Sequence, residues 1–314
     1  MTLVYTFKTL AEKAITADNF NIHVLLLDMS WAFDTINRKQ LIQDLEEVLN
    51  KDELHLISIL IRDVKIQVKH GNQTGEEFTT NIGSPQGDCA SPIWFIYYLY
   101  KTIKHFKDNN AEKLENIKKD AAHDHNYNKK TFMHVEHPYC RHSTVKEFTI
   151  NQQYADDISW ASTNINTINN IKDTAPTILK ERNLQVNEDK TELYTIGKDK
   201  EEKWKNCKYL GSHLNTEEDN RRRQKLTNIA FENNKTTLCS KISLTLRMKI
   251  FNARISSIFL YNSELWTLTN KMEKSINLYQ RRLLRKIIKT RYINNESLYK
   301  FTEQEEWTTT IKLR

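Results

Sequence analysis

Three aspartates stand where the sequence pattern predicts the ends of buried strands. Asp28 follows the apolar run Ile22–Leu27, which is short and aliphatic and therefore predicts a buried strand. Asp156 and Asp157 end the segment Tyr-Ala-Asp-Asp, between two predicted short strands. An ionised carboxylate in such a place is costly to desolvate unless a cation pairs with it. Isolated Asp-Asp pairs are usually turn or helix-cap acids, but the strand context on both sides favours a chemical role here.

Carboxylates brought together from two strand ends would repel each other unless divalent cations lay between them. Mg²⁺ and Mn²⁺ prefer oxygen ligands and complete their coordination shells with water and phosphate. The aspartates therefore predict two such ions, about 3.5–4 Å apart, that serve in-line phosphoryl transfer. One ion would activate a primer 3′-hydroxyl, and the other would hold a triphosphate and its leaving pyrophosphate.

The remainder of the first two hundred residues predicts mixed strands and helices around these aspartates. Apolar residues three and four apart predict helices at 38–49, 53–61, 91–106 and 165–182. Alternation predicts a hairpin of 65–69 with 76–80 around a turn at 71–75, and a strand at Glu192–Ile196.

The segment 107–150 is rich in Asn, Lys, Asp and His and predicts a long surface insertion. It contains a pattern of possible zinc ligands: His134, His137, Cys140 and His142. The alternative is a polar loop that has collected histidines without binding a metal.

The last third of the chain differs in composition. All six glycines precede residue 212 and all four prolines precede residue 177, so the rest predicts long helices. After residue 200 there are 23 Lys and Arg against 12 Asp and Glu, whereas the first 200 residues carry 24 against 28. A basic part joined to a mildly acidic part predicts a polyanion-binding region, the alternative being a solvated basic helix face.

Composition also excludes several classes of protein. The chain has 314 residues, 39% hydrophobic and 28% charged, which argues against a mainly disordered protein. Its longest apolar run has eight residues (93–100), too short to cross a bilayer, and no secretory leader pattern is found. The four cysteines are scattered, which argues against a disulfide framework and favours a reducing location, the nucleus or the cytoplasm.

Five short motifs occur in a fixed order and carry a family resemblance. They are Leu-Asp-Met-Ser-Trp-Ala-Phe-Asp-Thr-Ile at 27–36, Gly-Ser-Pro-Gln-Gly-Asp at 83–88, Tyr-Ala-Asp-Asp at 154–157, Leu-Gln-Val-Asn-Glu-Asp-Lys-Thr-Glu at 184–192 and Tyr-Leu-Gly-Ser at 209–212. In this order they resemble the palm motifs of reverse transcriptases, most closely those of non-LTR (LINE-type) retrotransposons. The segments 259–266 and 280–285 resemble the thumb helices of the same group.

This resemblance implies a role for each matching residue. Asp28 and Asp156 would be the primary metal ligands, with Asp157 beside the primer end and supporting the metal shell. Phe33 would lie beneath the incoming sugar and exclude a 2′-hydroxyl, unless it is an ordinary core phenylalanine. The remaining candidates are nucleotide-binding Gln86, Gly87 and Lys190, primer-grip Tyr209, Leu210 and Gly211, and nucleic-acid backbone ligands Arg281, Arg282 and Arg285.

Two of these candidates have plain structural alternatives. Lys190 would lie near the triphosphate and donate a proton to pyrophosphate, or it is a surface lysine. Gly211 would form the turn of the primer grip, or it is an ordinary hairpin glycine. The three arginines belong to a basic cluster that extends to Lys289.

The resemblance implies an α+β fold: a right-hand polymerase palm with an antiparallel sheet backed by helices, partial fingers and an all-helical thumb. We expect a palm with truncated fingers at 1–212 and a basic thumb at 213–314. The implied function is RNA-directed DNA polymerisation by a fragment of a retroelement polyprotein, with an RNA template, a DNA or RNA primer, dNTPs and no membrane.

Other functions remain open from the sequence. Relatives carry a fingers region before the first catalytic strand, where only about twenty residues are found here. The main alternative is therefore a catalytically inactive remnant that binds nucleic acid through its basic thumb. An intron-maturase-like or viral RNA-copying polymerase is disfavoured by Phe33 and by Ala155 in place of glycine.

Overall fold

The computed structural model describes residues 2–17, 20–85, 87–109, 148–198, 200, 202–290 and 292–313. The chain divides into two compact units, which we name for their contents. The sheet unit is Ala14–Lys200, and the helical unit combines Met1–Lys13 with Glu201–Arg314. The motifs placed a boundary after residue 212, whereas the structure groups 201–212 with the helical unit.

The first helix, α1 (Thr2–Thr16), belongs mostly to the helical unit. The described elements of the sheet unit are then β1 Ile22–Leu27, β2 Met29–Ser30, α2 Arg38–Leu45, α3 Lys51–Ile61, β3 Val64–His70, β4 Gln73–Thr80, α4 Ser91–Asn109, β5 Thr149–Tyr154, β6 Asp157–Ser162, α5 Ile165–Glu181, β7 Gln185–Val186 and β8 Glu192–Ile196.

A four-stranded antiparallel sheet forms the centre of the sheet unit. Its strand order is β5–β6–β1–β8, so β1 is an inner strand. As an inner strand, β1 is hydrogen-bonded along both edges, and four of its six residues are buried, as the apolar sequence predicted. Leu25 pairs with Trp160 on one side and with Leu193 on the other, which fixes the register.

Helices α4 and α5 pack with this sheet in one hydrophobic core. Phe95, Tyr98 and Phe106 of α4 are almost fully buried and follow one another at intervals of three and eight residues, on one helix face. Ile171 and Leu179 of α5 complete the cluster. Burying each such side chain contributes about 1.5–3 kcal/mol. The predicted fold class, helices packed with an antiparallel sheet, is confirmed.

Two local predictions differ from the structure. The helix predicted at 38–49 ends at Leu45 and continues as turns. In the hairpin, β4 begins at Gln73, inside the predicted turn 71–75, because Gly71 (φ +60) allows a tighter turn. Residues of this hairpin are exposed along almost the whole of both strands.

The helical unit contains one short hairpin followed by helices. Its further elements are β9 Lys208–Tyr209, β10 Ser212–His213, α6 Thr216–Leu238, α7 Leu244–Phe251, a π-helical turn Asn252–Ser256, α8 Ser257–Phe259, α9 Asn270–Ile288, α10 Asn295–Thr302 and α11 Trp307–Leu313. Phe259 stacks on Trp307 with ring centroids 4.3 Å apart, at the centre of its separate core. The predicted helical character of the basic region is confirmed for its described residues.

Most of the predicted insertion, including all the proposed zinc ligands, lies outside the described residues. Among the helices that are described, none combines the length and the apolar character needed to span a membrane.

Candidate active site

Sheet register brings the three aspartates to one end of two adjacent strands. Leu27, the last residue of β1, pairs with Ile158 of β6 in antiparallel register. Continuing that register by one residue sets Asp28 opposite Asp157. Asp156 precedes Asp157 in the turn between β5 and β6. Residues far apart in sequence are therefore brought to the same end of two adjacent strands by the backbone register, and their role as metal ligands stays a prediction.

The turn that presents Asp156 has an unusual backbone. Tyr154 pairs with Asp157, so only Ala155 and Asp156 connect the two strands. Ala155 has φ 51, in the left-handed region that an alanine rarely adopts. The tight turn leaves the Asp156 side chain exposed to solvent. Such backbone strain persists where the surrounding structure holds it, and it is frequent at functional sites.

The carboxylates fit divalent metal ions only with help from a substrate. Within the described parts of the chain, no group of three or more His, Cys, Asp or Glu side chains is arranged to hold a metal ion. Asp28 is partly open, with 32% of its side chain exposed, and Asp156 is exposed. Oxygen donors with open positions suit Mg²⁺ or Mn²⁺, which retain water and take phosphate oxygens as ligands. The donor set therefore fits the predicted ions if phosphates supply further ligands.

Lys190 lies beside the first aspartate. Its Nζ is 3.6 Å from Oδ2 of Asp28, while 68% of its side chain is exposed. The backbone brings it there, because Met29 pairs with Val186 and the Asn187 amide donates to the Asp28 carbonyl at 2.8 Å. An exposed pair of this kind contributes little stability, about 0–1 kcal/mol. The contact with Asp28 is compatible with both predicted roles, and the role near a triphosphate stays a prediction.

Phe33 is anchored on one side by the core. Its ring stacks on Phe95 of α4, with centroids 4.2 Å apart and planes at 28°. The residue as a whole is only partly buried. Stacking on Phe95 agrees with the role of a core residue, and the partial burial is compatible with the predicted gate. The structure thus accommodates both predicted roles, gate and core residue, in one side chain.

The glycine-rich motif lies directly against the Phe33 segment. The amide of Ser84 donates to the Phe33 carbonyl at 2.7 Å, and the amide of Gly83 donates to Ile36 at 2.9 Å. A Cβ on Gly83 (φ +76) would stand 2.7 Å from the Asp34 carbonyl oxygen, so only glycine fits.

The motif also contains two predicted nucleotide-binding residues, Gln86 and Gly87, of which the structure describes only Gly87. Gly87 has φ +95 and nothing within 4 Å of a built Cβ, so open space surrounds it. Gln86 lies outside the described residues.

The sequence pattern did not single out Arg38, which holds this junction together. Arg38 is the first residue of α2, and its guanidinium is buried and donates to three backbone carbonyls. No local pattern predicts this, because the acceptors lie 23 to 45 residues away in sequence. Gly83 was also missed as a close-approach glycine, although its place at the head of the motif was a usable signal.

The primer-grip candidates form a tight turn in the helical unit. Leu210 (φ 47) and Gly211 (φ 76) connect β9 to β10, and Tyr209 is buried against Phe7 with centroids 5.0 Å apart. The Gly211 carbonyl accepts from Arg222 at 2.7 Å and from Arg223 at 2.5 Å. These two arginines of α6, which the sequence did not indicate, hold the turn through its backbone.

A basic groove runs along the C-terminal half of α9. Its volume is about 690 Å³. The groove is lined by Asn228, Tyr279, Arg282, Leu283, Arg285, Lys286, Lys289 and Thr290. Burial raises the pKa of Tyr279 well above its ordinary value, so this phenol stays a neutral donor to Asn228 at 2.8 Å. Four cationic side chains around one groove suit a phosphate backbone.

The three predicted backbone ligands take different places on α9. Arg282 is exposed in the groove, and Arg285 lines it while donating to Asn295 at 2.9 Å. Arg281 instead pairs with Glu306 at 3.4 Å and lines a different cavity. Lys286 and Lys289 stand with Arg282 in the groove. The predicted cluster therefore divides between two surfaces of the helix.

Comparison with known proteins gives a family and a set of distant structures. The family model described as "Reverse transcriptase (RNA-dependent DNA polymerase)" matches residues 4–214, which include all five motifs. No curated protein matches the sequence.

Similar solved structures include telomerases of two yeasts. The Candida albicans telomerase in complex with a TWJ fragment of telomeric RNA has 14% identity and a TM-score of 0.47, with 96% of this chain and 49% of that chain covered. An apo telomerase of Candida tropicalis truncated from its C-terminal domain has 16% identity and a TM-score of 0.46, with 68% and 38% covered.

The Candida tropicalis telomerase in complex with a TWJ fragment has 12% identity and a TM-score of 0.42, with 96% and 52% covered. The chain thus spans about half the length, or less, of the telomerases that it matches. Since the family model covers two thirds of the chain and all of its motifs, the chain belongs to the reverse transcriptase (RNA-dependent DNA polymerase) family.

Proposed function

We propose that the chain is an RNA-directed DNA polymerase that transfers nucleotides from dNTPs to a primer 3′-hydroxyl with two divalent metal ions, Mg²⁺ or Mn²⁺. The observation that carries the proposal is the meeting of Asp28 and Asp157 at one end of β1 and β6, with Asp156 in the adjacent turn. Family membership supplies the class of reaction.

The residues at the strand ends would hold the metal ions. Asp28 and Asp156 supply the primary oxygen ligands and Asp157 supports them. A bound divalent ion supplies activation of the 3′-hydroxyl and neutralisation of the triphosphate charge. The 3′-hydroxyl would release its proton to solvent as its oxygen forms a bond to the α-phosphorus, and the bond from that phosphorus to pyrophosphate would break. Lys190, whose Nζ lies 3.6 Å from Oδ2 of Asp28, would donate a proton to the leaving pyrophosphate.

Selection of the nucleotide falls to the junction of two motifs. The accessible part of the Phe33 ring would leave no room for a 2′-hydroxyl, so deoxynucleotides are favoured. Gly87 lies in open space with a backbone that only glycine adopts easily, which allows a base or sugar to approach closely.

Primer and template would be bound mainly by backbone contacts. The turn of Tyr209, Leu210 and Gly211, whose Gly211 carbonyl accepts from Arg222 and Arg223, would support a primer end. The basic groove would bind phosphates of an RNA template or of a DNA or RNA primer without distinguishing bases.

We further propose that the chain derives from a non-LTR retroelement and works with the remainder of a retroelement polyprotein. The order of the five motifs and their amino-acid sequences support this origin. The nucleus or the cytoplasm is the proposed location.

One observation favours the alternative, an inactive remnant that still binds nucleic acid. The basic groove is complete within the helical unit and needs nothing from the carboxylates. A remnant would keep salt-sensitive binding and lose metal-dependent incorporation.

A primer-extension assay separates the two functions. The full chain is given an RNA template with an annealed DNA primer, dNTPs and Mg²⁺ or Mn²⁺, and a parallel reaction contains a chelator. We expect extension with dNTPs that the chelator abolishes and that rNTPs support poorly. Binding of the primer–template without any extension would instead establish the remnant.

A further inference from the structure

Arg38 is a buried charged residue beside the motifs that contain Phe33 and Gly87, and its guanidinium donates three hydrogen bonds to backbone carbonyls. Only 6% of the residue is exposed. Its Nε donates to the Gly83 carbonyl at 2.7 Å, and its Nη1 donates to the carbonyls of Ile61 at 2.7 Å and Thr80 at 2.6 Å. These acceptors are neutral backbone groups, which compensate the desolvation of a charge less well than a carboxylate would. Because desolvation of this charge costs free energy, we infer that the hydrogen bonds of Arg38 serve to fix the positions of the segments that they join.

The three acceptors belong to three different elements that end at one place. Ile61 ends α3, Thr80 ends β4, and Gly83 opens the glycine-rich motif. Arg38 itself begins α2, directly after the Phe33 segment. One guanidinium therefore ties the start of α2 to the ends of α3 and β4 and to the start of the glycine-rich motif.

The same junction sets the distance between the two nucleotide-selecting segments. Ser84 donates to Phe33 and Gly83 donates to Ile36, while Asn37 forms a bridge with Ile82. The close approach of Gly83 to the Asp34 backbone leaves no free space between them. Arg38 adds a further hydrogen bond to this set, because its Nε donates to the Gly83 carbonyl.

We propose that Arg38 is a positioning residue for nucleotide selection, which fixes the separation between the Phe33 ring and the residues that follow Gly83. The proposal rests on the proposed polymerase function, and Arg38 itself touches no nucleotide. Its effect is transmitted through the Gly83 carbonyl and the two amide bonds beside it.

The chemistry of arginine makes the proposal testable with a conservative change. A guanidinium donates in fixed, divergent directions from Nε and from its terminal nitrogens. A lysine keeps the charge but donates from a single nitrogen at the end of a chain, so it cannot reach the same three carbonyls with this geometry. Arg38→Lys should therefore lose the positioning while preserving charge.

The matched control is Arg182→Lys in the same unit. Arg182 is also largely buried, pairs with Asp44, donates to Thr102 at 2.9 Å and stacks on Tyr98. It ties α5 to α2 and α4 without bonding to the Phe33 segment or to the glycine-rich motif. Both changes remove buried guanidinium hydrogen bonds, and only one of them affects the junction.

The first measurement is amide hydrogen exchange at Gly83 and Ser84, which needs no catalytic activity. We expect exchange at both amides to rise about tenfold in Arg38→Lys, the consequence of losing one or two hydrogen bonds, and to stay unchanged in Arg182→Lys. Unchanged exchange in Arg38→Lys would overturn the proposal. Should that variant fail to fold, Arg38→Gln, which keeps one donor group and removes the charge, should raise exchange at both amides in the same way, and unchanged exchange there would equally overturn the proposal.

The second measurement is incorporation of dNTPs and rNTPs on an RNA template. In Arg38→Lys we expect the KM for dNTP to rise about tenfold, the preference for dNTP over rNTP to fall, and kcat to change less. A purely structural role predicts a lower melting temperature with the preference unchanged, as in Arg182→Lys, and would overturn the proposal. A wild-type chain without incorporation refutes the polymerase function, and hydrogen exchange alone then decides whether Arg38 sets the junction.

Discussion

The sheet unit and the helical unit position their functional side chains in different ways. In the sheet unit, Asp28 and Asp157 meet because β1 and β6 pair in one register. In the helical unit, the grip turn is held by Arg222 and Arg223, whose side chains reach it from α6. Backbone register thus fixes the positions of the aspartates, whereas side-chain contacts between separate elements fix the grip turn.

This difference predicts that the sheet unit carries out the chemical step and that the helical unit binds nucleic acid, which we call the division of labour between the units. Small, exposed carboxylates at strand ends suit bond making and bond breaking, since they offer oxygen ligands without adding bulk. Long cationic side chains around an open groove suit binding of phosphates without geometric precision. Changes in the sheet unit should therefore alter reaction rate or selectivity, and changes in the helical unit should alter affinity.

The largest expected effect follows from removing a metal ligand in the sheet unit. Asp28→Asn or Asp156→Asn should lower incorporation at least 10²–10³-fold, on the order seen when transition-state charge loses its stabilisation. Folding and nucleic-acid binding should be nearly unchanged, because each change removes a charge that serves the metal.

The matched control is Asp189→Asn, since Asp189 is an exposed acid in the turn beside Lys190. Primer extension and melting temperature are measured for all three variants. Full activity in the Asp28 or Asp156 variant, or an equal loss in the control, would remove the metal site from the strand ends.

A second change tests selectivity in the same unit. Phe33→Ala should raise the ratio of rNTP to dNTP incorporation about tenfold, with a modest loss of dNTP efficiency, because the ring no longer excludes the 2′-hydroxyl. Incorporation ratios and melting temperature are measured together.

Phe106→Leu provides the control, since Phe106 is a buried aromatic of the same core that packs on Trp160. It should lower stability by about 1–2 kcal/mol without moving the ratio. If Phe33→Ala only destabilises the protein as the control does, Phe33 is a core residue and not a gate.

In the helical unit the expected effect is on affinity. Replacing Arg282, Lys286 and Lys289 together with Gln should flatten the dependence of log affinity on log salt by about two to three units, since each phosphate that is no longer neutralised lowers the slope by about 0.7–0.9. Arg281→Gln should leave the slope unchanged, because this side chain pairs with Glu306 outside the groove. Titrations at several salt concentrations test both, and a sequence-dependent loss of affinity would point to base recognition instead.

The smallest expected effect is a loss of folding stability at acid pH, to which one histidine in each unit contributes. Burial lowers the pKa of His23 in the sheet unit and of His213 in the helical unit below their ordinary value of 6.5. The unfolded chain keeps the ordinary pKa, so below about pH 6.5 it binds more protons than the folded chain and stability falls. Above that pH both states are neutral and nothing further is gained.

Thermal unfolding at about pH 7.5 and about pH 5.5 measures this loss of stability, which we expect to be a few degrees of Tm at most. His23→Gln and His213→Gln should each reduce it, one in each unit. His55→Gln, at an exposed position of α3, should leave it unchanged. A loss that neither variant reduces would assign the acid sensitivity to other groups.

Elements with strong local patterns could be predicted from the sequence. The buried strand before Asp28, the strand Glu192–Ile196 and the long helix after Ser91 agree closely with the structure. Each combines an apolar pattern of one period with clear polar boundaries, so local and tertiary preferences agree. The aspartates could be found for the same reason, because they end such patterns.

What the sequence could not supply depends on contacts between distant residues. Arg38 is bonded to residues 23 to 45 positions away, and nothing in its neighbours indicates burial. The pairing of Arg281 with Glu306 likewise depends on how α11 approaches α9, which a charge count cannot reveal. The exact turn of the hairpin at Gly71 depended on one backbone angle that several turn types share.

If the sheet unit performs the chemistry and the helical unit supplies the grip, rate and affinity must separate between variants of the two units. The decisive quantity is the single-turnover rate of dNTP incorporation at saturating RNA-templated primer, measured for Asp156→Asn and for the groove variant with Gln at Arg282, Lys286 and Lys289. We predict that the first variant binds normally but does not incorporate, and that the second incorporates at nearly the wild-type rate once saturated. A groove variant that stays slow at saturation, or an Asp156→Asn chain that incorporates at the wild-type rate, would contradict this division of labour.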